Sequence, residues 1–227
     1  MLFTDIRIMT LRVLIVDDHA IVRQGVRQLL SDSGSIAVIG EADCGAEALE
    51  MTDAAQWDIV LLDISLPDTN GLEILKTLRR KHPRLPIMIF SMYGEGQFAL
   101  RALKAGAAGY LSKRSNAQQL VSAVRQVAAG RKYVSPMVAE TLADYLGPDA
   151  DQPPHERLSD REYQTLCMIG SGKRLTDIAN ALSLSVKTVS VYRTRLLEKM
   201  RLNNNAELTY YVMQHGLVSA EMGPVCA

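Results

Sequence analysis

The sequence predicts a five-stranded parallel α/β domain followed by a small all-helical domain. Three observations lead to this prediction. Apolar runs alternate with amphipathic segments over the first 130 residues, a proline-rich acidic stretch then breaks the pattern, and the remainder shows only helical periodicity. A chain of 227 residues is long enough for two modest domains with separate cores. No apolar run reaches the roughly eighteen residues that a membrane span requires.

The predicted strands are short apolar runs bounded by turn or charged residues, at 11–16, 36–40, 58–63, 86–91 and 109–112. Their nearly continuous apolar character is typical of strands that are buried on both faces. We therefore expect a parallel sheet that lies between two layers of helices.

Amphipathic segments separate the predicted strands and follow the last one, at 19–32, 45–55, 71–82, 95–105 and 115–129. In the last segment Leu120, Val124 and Val127 recur at helical spacing. Five repeats of strand and helix complete the first domain, which we place at residues 10–131.

A stretch rich in proline and acidic residues separates the two halves. GPDADQPPHE, residues 147–156, can form neither a strand nor a helix interior. We interpret 132–155 as a linker, in which 136–146 is a candidate short helix.

The second domain, 156–220, is predicted to contain helices at 159–170, 175–182 and 186–200. Ser159 and Glu162 form a capping-box pattern at the start of the first. The short SLS turn between the other two predicts a helix-turn-helix, whose second helix enters the major groove of DNA.

The net charge of zero hides an asymmetry between the halves. Residues 156–219 carry nine Lys/Arg and six Asp/Glu, so the rest of the chain is acidic, and we expect different partners for the two parts. Cys44, Cys167 and Cys226 are far apart and fit no disulfide or zinc motif, which indicates the reducing cytoplasm.

Polar residues follow four predicted strands, at the edge where open α/β sheets bind ligands. Asp17 and Asp18 end the first strand, Asp63 ends the third, Ser91 ends the fourth, and Lys113 follows the fifth. Three close carboxylates need a counter-charge, and Mg²⁺ prefers oxygen ligands. With a lysine and a serine to contact phosphoryl oxygens, the set indicates phosphoryl transfer to a carboxylate nucleophile. Any one of these residues alone is also typical of a strand-end cap or surface charge, so the prediction depends on the whole set.

The helical wheel of 186–200 separates an apolar face from a polar and basic one. The apolar face contains Val186, Val189, Tyr192, Leu196, Leu197 and Met200. Basic residues on the opposite face suit phosphate contacts, and its small side chains suit base edges. Arg193 lies on the apolar side, from which its long side chain could reach the phosphate backbone. The alternative is a structural helix with a solvated basic face.

The first half resembles the receiver domain of bacterial two-component response regulators over roughly residues 11–131. The motifs are VDDH, the D-x-x-x-P pattern from Asp63 to Pro67 with Gly71 beyond it, FSMY, and AGAAGYLSK. The resemblance implies a flavodoxin-like fold with strand order 2-1-3-4-5. It also implies that Asp63 accepts a phosphoryl group from a sensor histidine kinase.

The same resemblance implies roles for the residues around Asp63. Asp18, Asp63 and the backbone carbonyl of Ser65 would bind Mg²⁺, with Asp17 helping through water. Ser91 and Lys113 would contact the phosphoryl oxygens, and Tyr110 would be the aromatic switch that turns inward when Ser91 moves. The chain departs from many receivers at Arg114, where they have a proline with a cis bond.

The second half resembles the four-helix DNA-binding domain of the LuxR type over roughly 156–219, through GSGKRLTDIAN and SLSVKTVSVYRTRLLEKM. Together the halves resemble response regulators of the NarL/FixJ class. The resemblance implies base-edge contacts from Ser190, Val191 and Thr194, and phosphate contacts from Lys187, Thr188, Arg193, Arg195 and Lys199. It implies that the final helix, around 204–215, joins DNA-binding domains into dimers.

These observations predict a transcription regulator, not an enzyme, that is switched by phosphorylation of Asp63. Its implied partners are a sensor histidine kinase, double-stranded promoter DNA, a second copy of the chain in the active state, and RNA polymerase. No membrane partner is expected. Phosphorylation would change the face formed by the fourth helix, fifth strand and fifth helix, and would release the basic helix, favour dimers, or both.

Two alternatives remain at this point. A Mg²⁺-dependent phosphohydrolase with an aspartyl-phosphate intermediate would carry an early D-x-D motif and a lid insertion, and neither is visible. A regulator that senses a small molecule would need an apolar cavity lined by aromatic residues, but only 5% of the chain is aromatic.

Overall fold

The first half of the chain forms a five-stranded parallel sheet in the computed structural model, which describes residues 11–34, 36–145 and 153–218. The strands are β1 (Leu11–Val16), β2 (Ile36–Ala42), β3 (Ile59–Leu62), β4 (Ile87–Ser91) and β5 (Gly109–Ser112). Their order is β2-β1-β3-β4-β5, which confirms the order implied by the receiver resemblance.

The helices alternate with the strands along this half. They are α1 (Ala20–Asp32), α2 (Gly45–Ala54), α3 (Gly71–Lys81), α4 (Glu95–Lys104) and α5 (Ala117–Ala128). Each predicted segment therefore forms a helix, with bounds that differ by one or two residues at several ends. Side-chain caps begin α3 and α5: the Asn70 side chain accepts a hydrogen bond from the backbone of Leu72, and Asn116 and Gln119 form a capping box.

One face of the sheet forms a core with α1 and α5. Alternate strand residues pack against Val26 and Leu30 of α1 and Leu120, Val124 and Val127 of α5. The strand residues in this cluster are Val13, Ile15, Ile59, Leu61, Met88, Phe90 and Leu111. All four residues of β3 are buried, so its opposite face is also covered, as expected for a central parallel strand.

The chain divides into two compact units. The first comprises Met1–Ser91 and Ala105–Tyr133, and the second comprises Met92–Lys104 and Val134–Ala227. Helix α4 thus belongs to the second unit, where it packs against α6 (Pro136–Tyr145).

The second unit is helical throughout its described part. After α6 come a 3-10 turn (Pro154–Arg157), α7 (Asp160–Gly170), α8 (Leu175–Ala181), α9 (Val186–Met200) and α10 (Asn205–Gln214). The candidate short helix in the linker is thus present as α6, and α8 and α9 form the predicted helix-turn-helix. The predicted capping box of Ser159 and Glu162 is present at α7. Residues 146–152, which include most of the proline-rich stretch 147–156, lie outside the described residues, as does Cys226.

Among the described residues, no helix combines the length and the apolar character that crossing a membrane requires.

Candidate functional site

The first unit brings the predicted acidic residues together at the carboxyl edge of the sheet. The Lys113 ammonium lies 2.5 Å from an Asp17 carboxylate oxygen and 2.7 Å from Oδ2 of Asp63. All three side chains are buried, with exposed fractions of 3–4%. Asp18 is more open, with 35% of its side chain exposed. The site therefore has a buried lysine between two carboxylates and a third carboxylate at its opening.

Asp63 is held by the backbone that follows it. Its Oδ1 accepts a hydrogen bond from the backbone N–H of Ile64 at 2.6 Å, while its Oδ2 faces Lys113. The start of α3 approaches this point closely, and the N–H of Gly71 donates to the carbonyl of Ile64 at 2.8 Å. A Cβ atom at position 71 would lie 1.9 Å from the carbonyl oxygen of Asp63, so only glycine fits here.

The residues after β1 form the other side of the site. Ligand atoms of Asp17, Asp18, His19 and Asp63 all lie within 4.8 Å of one another, as a metal site requires. The His19 ring nitrogen lies 2.6 Å from Asp18 Oδ1, and its backbone N–H donates to Asp17. The sequence alone shows no partner for His19; its adjacency to the aspartate pair in VDDH is the signal for this contact.

The positive charge of Lys113 is stabilised by the neighbouring carboxylates of Asp17 and Asp63. Burial on its own lowers the pKa of the ammonium, but attraction to Asp63 and hydrogen bonding to Asp17 oppose this effect and prevail. The pKa of Lys113 is therefore held above its usual value, and the cation compensates the two buried carboxylates.

Ser91 and Tyr110 lie on neighbouring strands and are both buried, with Tyr110 fully enclosed. The Ser91 hydroxyl has no hydrogen-bond partner within the part of the chain that the structure describes, although it is shielded from water. Such a buried hydroxyl is uncommon unless it serves a ligand or a movement. Ser65 is half-buried in the loop after β3, and the bond between Lys113 and Arg114 is trans, like all described peptide bonds.

The outer face of α9 is exposed as the helical wheel predicts. Its exposed residues include Lys187, Ser190, Val191, Thr194, Arg195 and Lys199, while Thr188 and Arg193 are half-buried. Val189, Leu196 and Met200 face the interior. Assigning Val186 to the core was wrong: it is 46% exposed, because it is the first residue of the helix and lies at its end.

Two basic residues of α9 have partners within the second unit. The Arg193 guanidinium donates to the side chain of Asn205 on α10 at 2.6 Å, which accounts for its position on the apolar side. Lys199 lies 2.6 Å from the buried carboxylate of Glu162 on α7. That contact and hydrogen bonds from Ser159 outweigh the opposing effect of burial, so the pKa of Glu162 is lowered. These contacts join α9 to its neighbours, and local sequence patterns do not reveal them.

Comparisons with known proteins agree with both halves. The family model described as response regulator receiver domain matches residues 13–125, and the model for bacterial regulatory proteins of the luxR family matches 156–212. Response regulator GacA of Pseudomonas aeruginosa is 37% identical over 211 residues, which cover 92% of this chain and 99% of that protein. Response regulator UvrY of Escherichia coli K12 is 38% identical over 212 residues, covering 93% and 97%.

The chain belongs to the NarL/FixJ family of two-component response regulators. A LuxR-family response regulator from Aurantimonas is a structural neighbour of this NarL/FixJ protein, with 38% identity and a TM-score of 0.56; the match covers 60% of the chain and 96% of the neighbour. RcsB of Salmonella typhimurium matches at 26% identity and a TM-score of 0.54, covering 90% and 99%.

Membership of the NarL/FixJ family decides between the alternative functions that the sequence left open. The protein is a DNA-binding transcription regulator with a receiver domain, and it is not a phosphohydrolase or another enzyme. The luxR-family match over α7–α10 likewise favours DNA binding over a merely solvated basic face on α9.

Proposed function

We propose that this regulator is switched by phosphoryl transfer from a sensor histidine kinase to Asp63. The proposal is carried by the buried Lys113, whose ammonium lies 2.7 Å from Asp63. It is supported by the buried hydroxyl of Ser91 at the end of β4, which has no hydrogen-bond partner within the described part of the chain. We also propose a receiver domain at 10–131, a linker at 132–155 and a DNA-binding domain at 156–220, in a protein of the cytoplasm.

In this transfer the carboxylate of Asp63 is the nucleophile. One of its oxygens attacks the phosphorus atom, the P–N bond to the kinase histidine breaks, and an acyl phosphate forms on Asp63. Because Lys113 lies 2.7 Å from Oδ2, its ammonium can move to an oxygen of the new phosphoryl group. Ser91 can donate its hydroxyl hydrogen to a second oxygen, which gives that buried group a partner.

The donor set around Asp63 fits Mg²⁺. Asp18, Asp63 and the backbone carbonyl of Ser65 would hold the ion, with Asp17 acting through water, and these are the hard oxygen ligands that Mg²⁺ prefers. The carboxylates of Asp17, Asp18 and Asp63 lie within 4.8 Å of one another, which supports the assignment. When bound, the ion supplies positive charge that reduces repulsion between the carboxylates and the incoming phosphoryl group.

The switch would pass from Ser91 to Tyr110. Ser91 is paired with Ser112 across β4 and β5, and Tyr110 lies two residues earlier on β5. Drawing the Ser91 hydroxyl towards a phosphoryl oxygen changes the space beside β5, and the buried Tyr110 ring would respond to that change.

The readout would be DNA binding by α9. Ser190, Val191 and Thr194 would contact base edges in the major groove. Lys187, Thr188 and Arg195 would contact phosphates, as would Arg193 and Lys199, which also have the internal partners Asn205 and Glu162. We propose that the last two residues orient the helix as well as contact the backbone.

The active form would be a two-fold dimer on promoter DNA. Helix α10 exposes Tyr210 and Met213, with exposed fractions of 70% and 69%, and these apolar side chains would form the contact between DNA-binding domains. Two half-sites would lie about one helical turn apart. RNA polymerase would be the partner of the bound dimer.

The first experiment measures intact mass after incubation with acetyl phosphate and Mg²⁺, for wild type and Asp63→Asn. A single labile phosphoryl adduct in wild type and none in the variant would support the proposal. An unmodified wild type with an intact fold, also after incubation with sensor kinases, would overturn it. An adduct of equal yield in Asp63→Asn would move the site elsewhere.

A further inference from the structure

Arg23 reaches back from the first turn of α1 to the backbone of the acidic pocket. Its guanidinium donates to the carbonyl oxygen of Asp17 at 2.6 Å, and its Nε lies 3.3 Å from a carboxylate oxygen of Glu41 on β2. This direction fits a helical side chain, which points towards the start of its own helix. Only 16% of the side chain is exposed, so most of this cation is shielded from water.

Asp17 is held by a partner at each of its polar groups. Its backbone N–H donates to the carbonyl of Ala42 at 3.1 Å, and one of its carboxylate oxygens accepts a hydrogen bond from the N–H of His19 at 2.9 Å. The other carboxylate oxygen lies 2.5 Å from the Lys113 ammonium. The contact from Arg23 supplies the partner of the remaining group, the backbone carbonyl.

The carbonyl that Arg23 binds belongs to the peptide group between Asp17 and Asp18. Because a peptide group is planar, a hydrogen bond that fixes its carbonyl also fixes the N–Cα bond of Asp18. The donor is charged, and such hydrogen bonds are stronger than neutral ones. Arg23 therefore restricts where the side chain of Asp18 begins, although it contacts neither that side chain nor the position proposed for Mg²⁺.

The carboxylate of Glu41 compensates the charge of Arg23. An uncompensated cation beside a metal site would repel Mg²⁺, so the pairing with Glu41 separates the positioning effect from a charge effect. Arg27 binds the same carboxylate from the next turn of α1, but its side chain is 57% exposed. Among the described residues, the hydrogen bonds and ion pairs of Arg27 go to Glu41 and not to the acidic pocket.

We propose that Arg23 is a positioning residue for the Mg²⁺ site: it holds the peptide group between Asp17 and Asp18 through the Asp17 carbonyl, while Glu41 orients its guanidinium. This role rests on the proposed function, because it assumes that the acidic pocket binds Mg²⁺. Since Arg23 contacts neither the ion nor the phosphoryl group, it determines how much Mg²⁺ the site needs and not how a filled site reacts.

The test is isothermal titration calorimetry of the full chain with Mg²⁺, without a phosphodonor. Arg23→Met keeps an unbranched apolar side chain without donors, and we expect it to bind Mg²⁺ about tenfold more weakly than wild type. Arg23→Lys keeps the charge but lacks the planar fork of donors, so binding should weaken about threefold. Arg27→Met, the matched control, removes a cation from the same carboxylate and should stay within about twofold of wild type.

A second measurement separates positioning from a merely structural role. Intact mass after incubation with acetyl phosphate is recorded over a range of Mg²⁺ concentrations. Arg23→Met should need about tenfold more Mg²⁺ for half of its maximal adduct, while saturating Mg²⁺ restores the yield of wild type. A yield that stays low at saturating Mg²⁺, with an unchanged requirement for the ion, would show a structural role and overturn the proposal.

The remaining outcomes distinguish this inference from the proposed function. Unchanged or tighter Mg²⁺ binding in Arg23→Met overturns the positioning role, as does equal weakening in Arg27→Met, because charge alone would then explain the effect. If wild type binds Mg²⁺ but forms no adduct with acetyl phosphate or sensor kinases, the proposed function fails and calorimetry still decides the role of Arg23. If wild type does not bind Mg²⁺, both fail. If circular dichroism shows that Arg23→Met does not fold, Mg²⁺ affinity equal to wild type in Arg23→Lys overturns the role.

Discussion

At the scale of single residues, Lys113 determines whether the acidic pocket can exist in a folded chain. Two carboxylates at 3% exposure would repel each other and lose hydration energy if no cation lay between them. The ammonium bridges them directly, and its raised pKa keeps it charged through the neutral range. The same residue thus stabilises the two buried carboxylates and is available to a phosphoryl oxygen.

Replacing Lys113 with Met should cost about 3 kcal/mol of unfolding free energy, because Asp17 and Asp63 would be left buried without a cation. The measurement is urea unfolding without divalent ions, followed by fluorescence of Trp57, the single tryptophan, which lies in the first unit. The control is Lys76→Met, which removes an exposed pair with Glu73 and should cost under about 0.5 kcal/mol. Equal losses in the two variants would contradict the role of Lys113.

The pocket also needs a residue without a side chain at position 71, where the start of α3 approaches the backbone of Asp63. Substitution by Ala should cost about 2 kcal/mol and reduce the yield of the Asp63 adduct, because the new Cβ atom must displace the carbonyl of Asp63. Gly25→Ala is the matched control: it lies inside α1 with nothing within 4 Å, and Ala there should stabilise by roughly 0.5–1 kcal/mol. A Gly71→Ala protein with normal stability and normal adduct yield would show that the close contact between position 71 and the Asp63 carbonyl is unimportant.

At the scale of elements, the second unit is joined by side chains that connect one helix to the next. His155 in the 3-10 turn packs against the rings of Tyr163 on α7 and of Tyr211 and His215 at α10. Glu162 caps α7 and pairs with Lys199 of α9. These contacts orient α9 and α10 with respect to α7.

The turn should make the second unit sensitive to acid. Burial lowers the pKa of His155 to about 4 from an ordinary 6.5, so between these values the unfolded chain binds a proton that the folded chain does not. Stability of the second unit should therefore fall as pH decreases from about 6.5 to about 4. Urea unfolding followed by circular dichroism at several pH values measures this, and Trp57 fluorescence reports the first unit separately. In His155→Phe the stability of the second unit should depend less on pH over this range. If its dependence on pH is the same as in wild type, groups other than His155 cause it.

On α9, two exposed residues should separate affinity from specificity. Val191→Ala should change the preferred base at one position by about 1 kcal/mol, because it removes methyl groups that suit a thymine methyl. Lys187→Ala, the comparison variant, should weaken binding about equally for all sequences, because it removes a phosphate contact. Selection from a random-sequence DNA pool measures both. Uniform weakening by Val191→Ala would argue against its contact with a base edge.

At the scale of the whole molecule, a neutral chain combines an acidic first part with a basic second part. The zero net charge would by itself argue against nucleic-acid binding, yet the nine Lys/Arg in 156–219 include those on the exposed face of α9. Separate units allow a phosphoryl site and a DNA-binding helix to keep opposite charge in one chain. The two units are continuous in sequence except at helix α4, which lies between β4 and β5 in sequence but belongs to the second unit.

This distribution predicts strongly salt-dependent DNA binding in spite of the neutral chain. If each protomer of a dimer uses its four cationic phosphate contacts, the logarithm of affinity should fall with the logarithm of salt concentration with a slope of about −7. Fluorescence anisotropy with labelled promoter DNA at several salt concentrations measures the slope. Lys187→Gln should reduce its magnitude by about 2 in the dimer. A slope near zero would contradict binding through the basic face.

Local patterns in the sequence determined the strands, most helix bounds, the residues of the acidic pocket and the exposed face of α9. They could do so because each of these features depends on residues that are close in sequence. A short apolar run indicates a strand that is buried on both faces, helical spacing indicates a helix and its faces, and the residue after a parallel strand lies at the edge of the sheet where ligands bind. The tertiary structure decided what lies against each surface: Glu162 pairs with Lys199 across 37 positions, and Arg101 reaches Asp160 across 59. Such contacts depend on how the chain returns to itself, and an apolar or polar face in a sequence does not name the partner that will cover it.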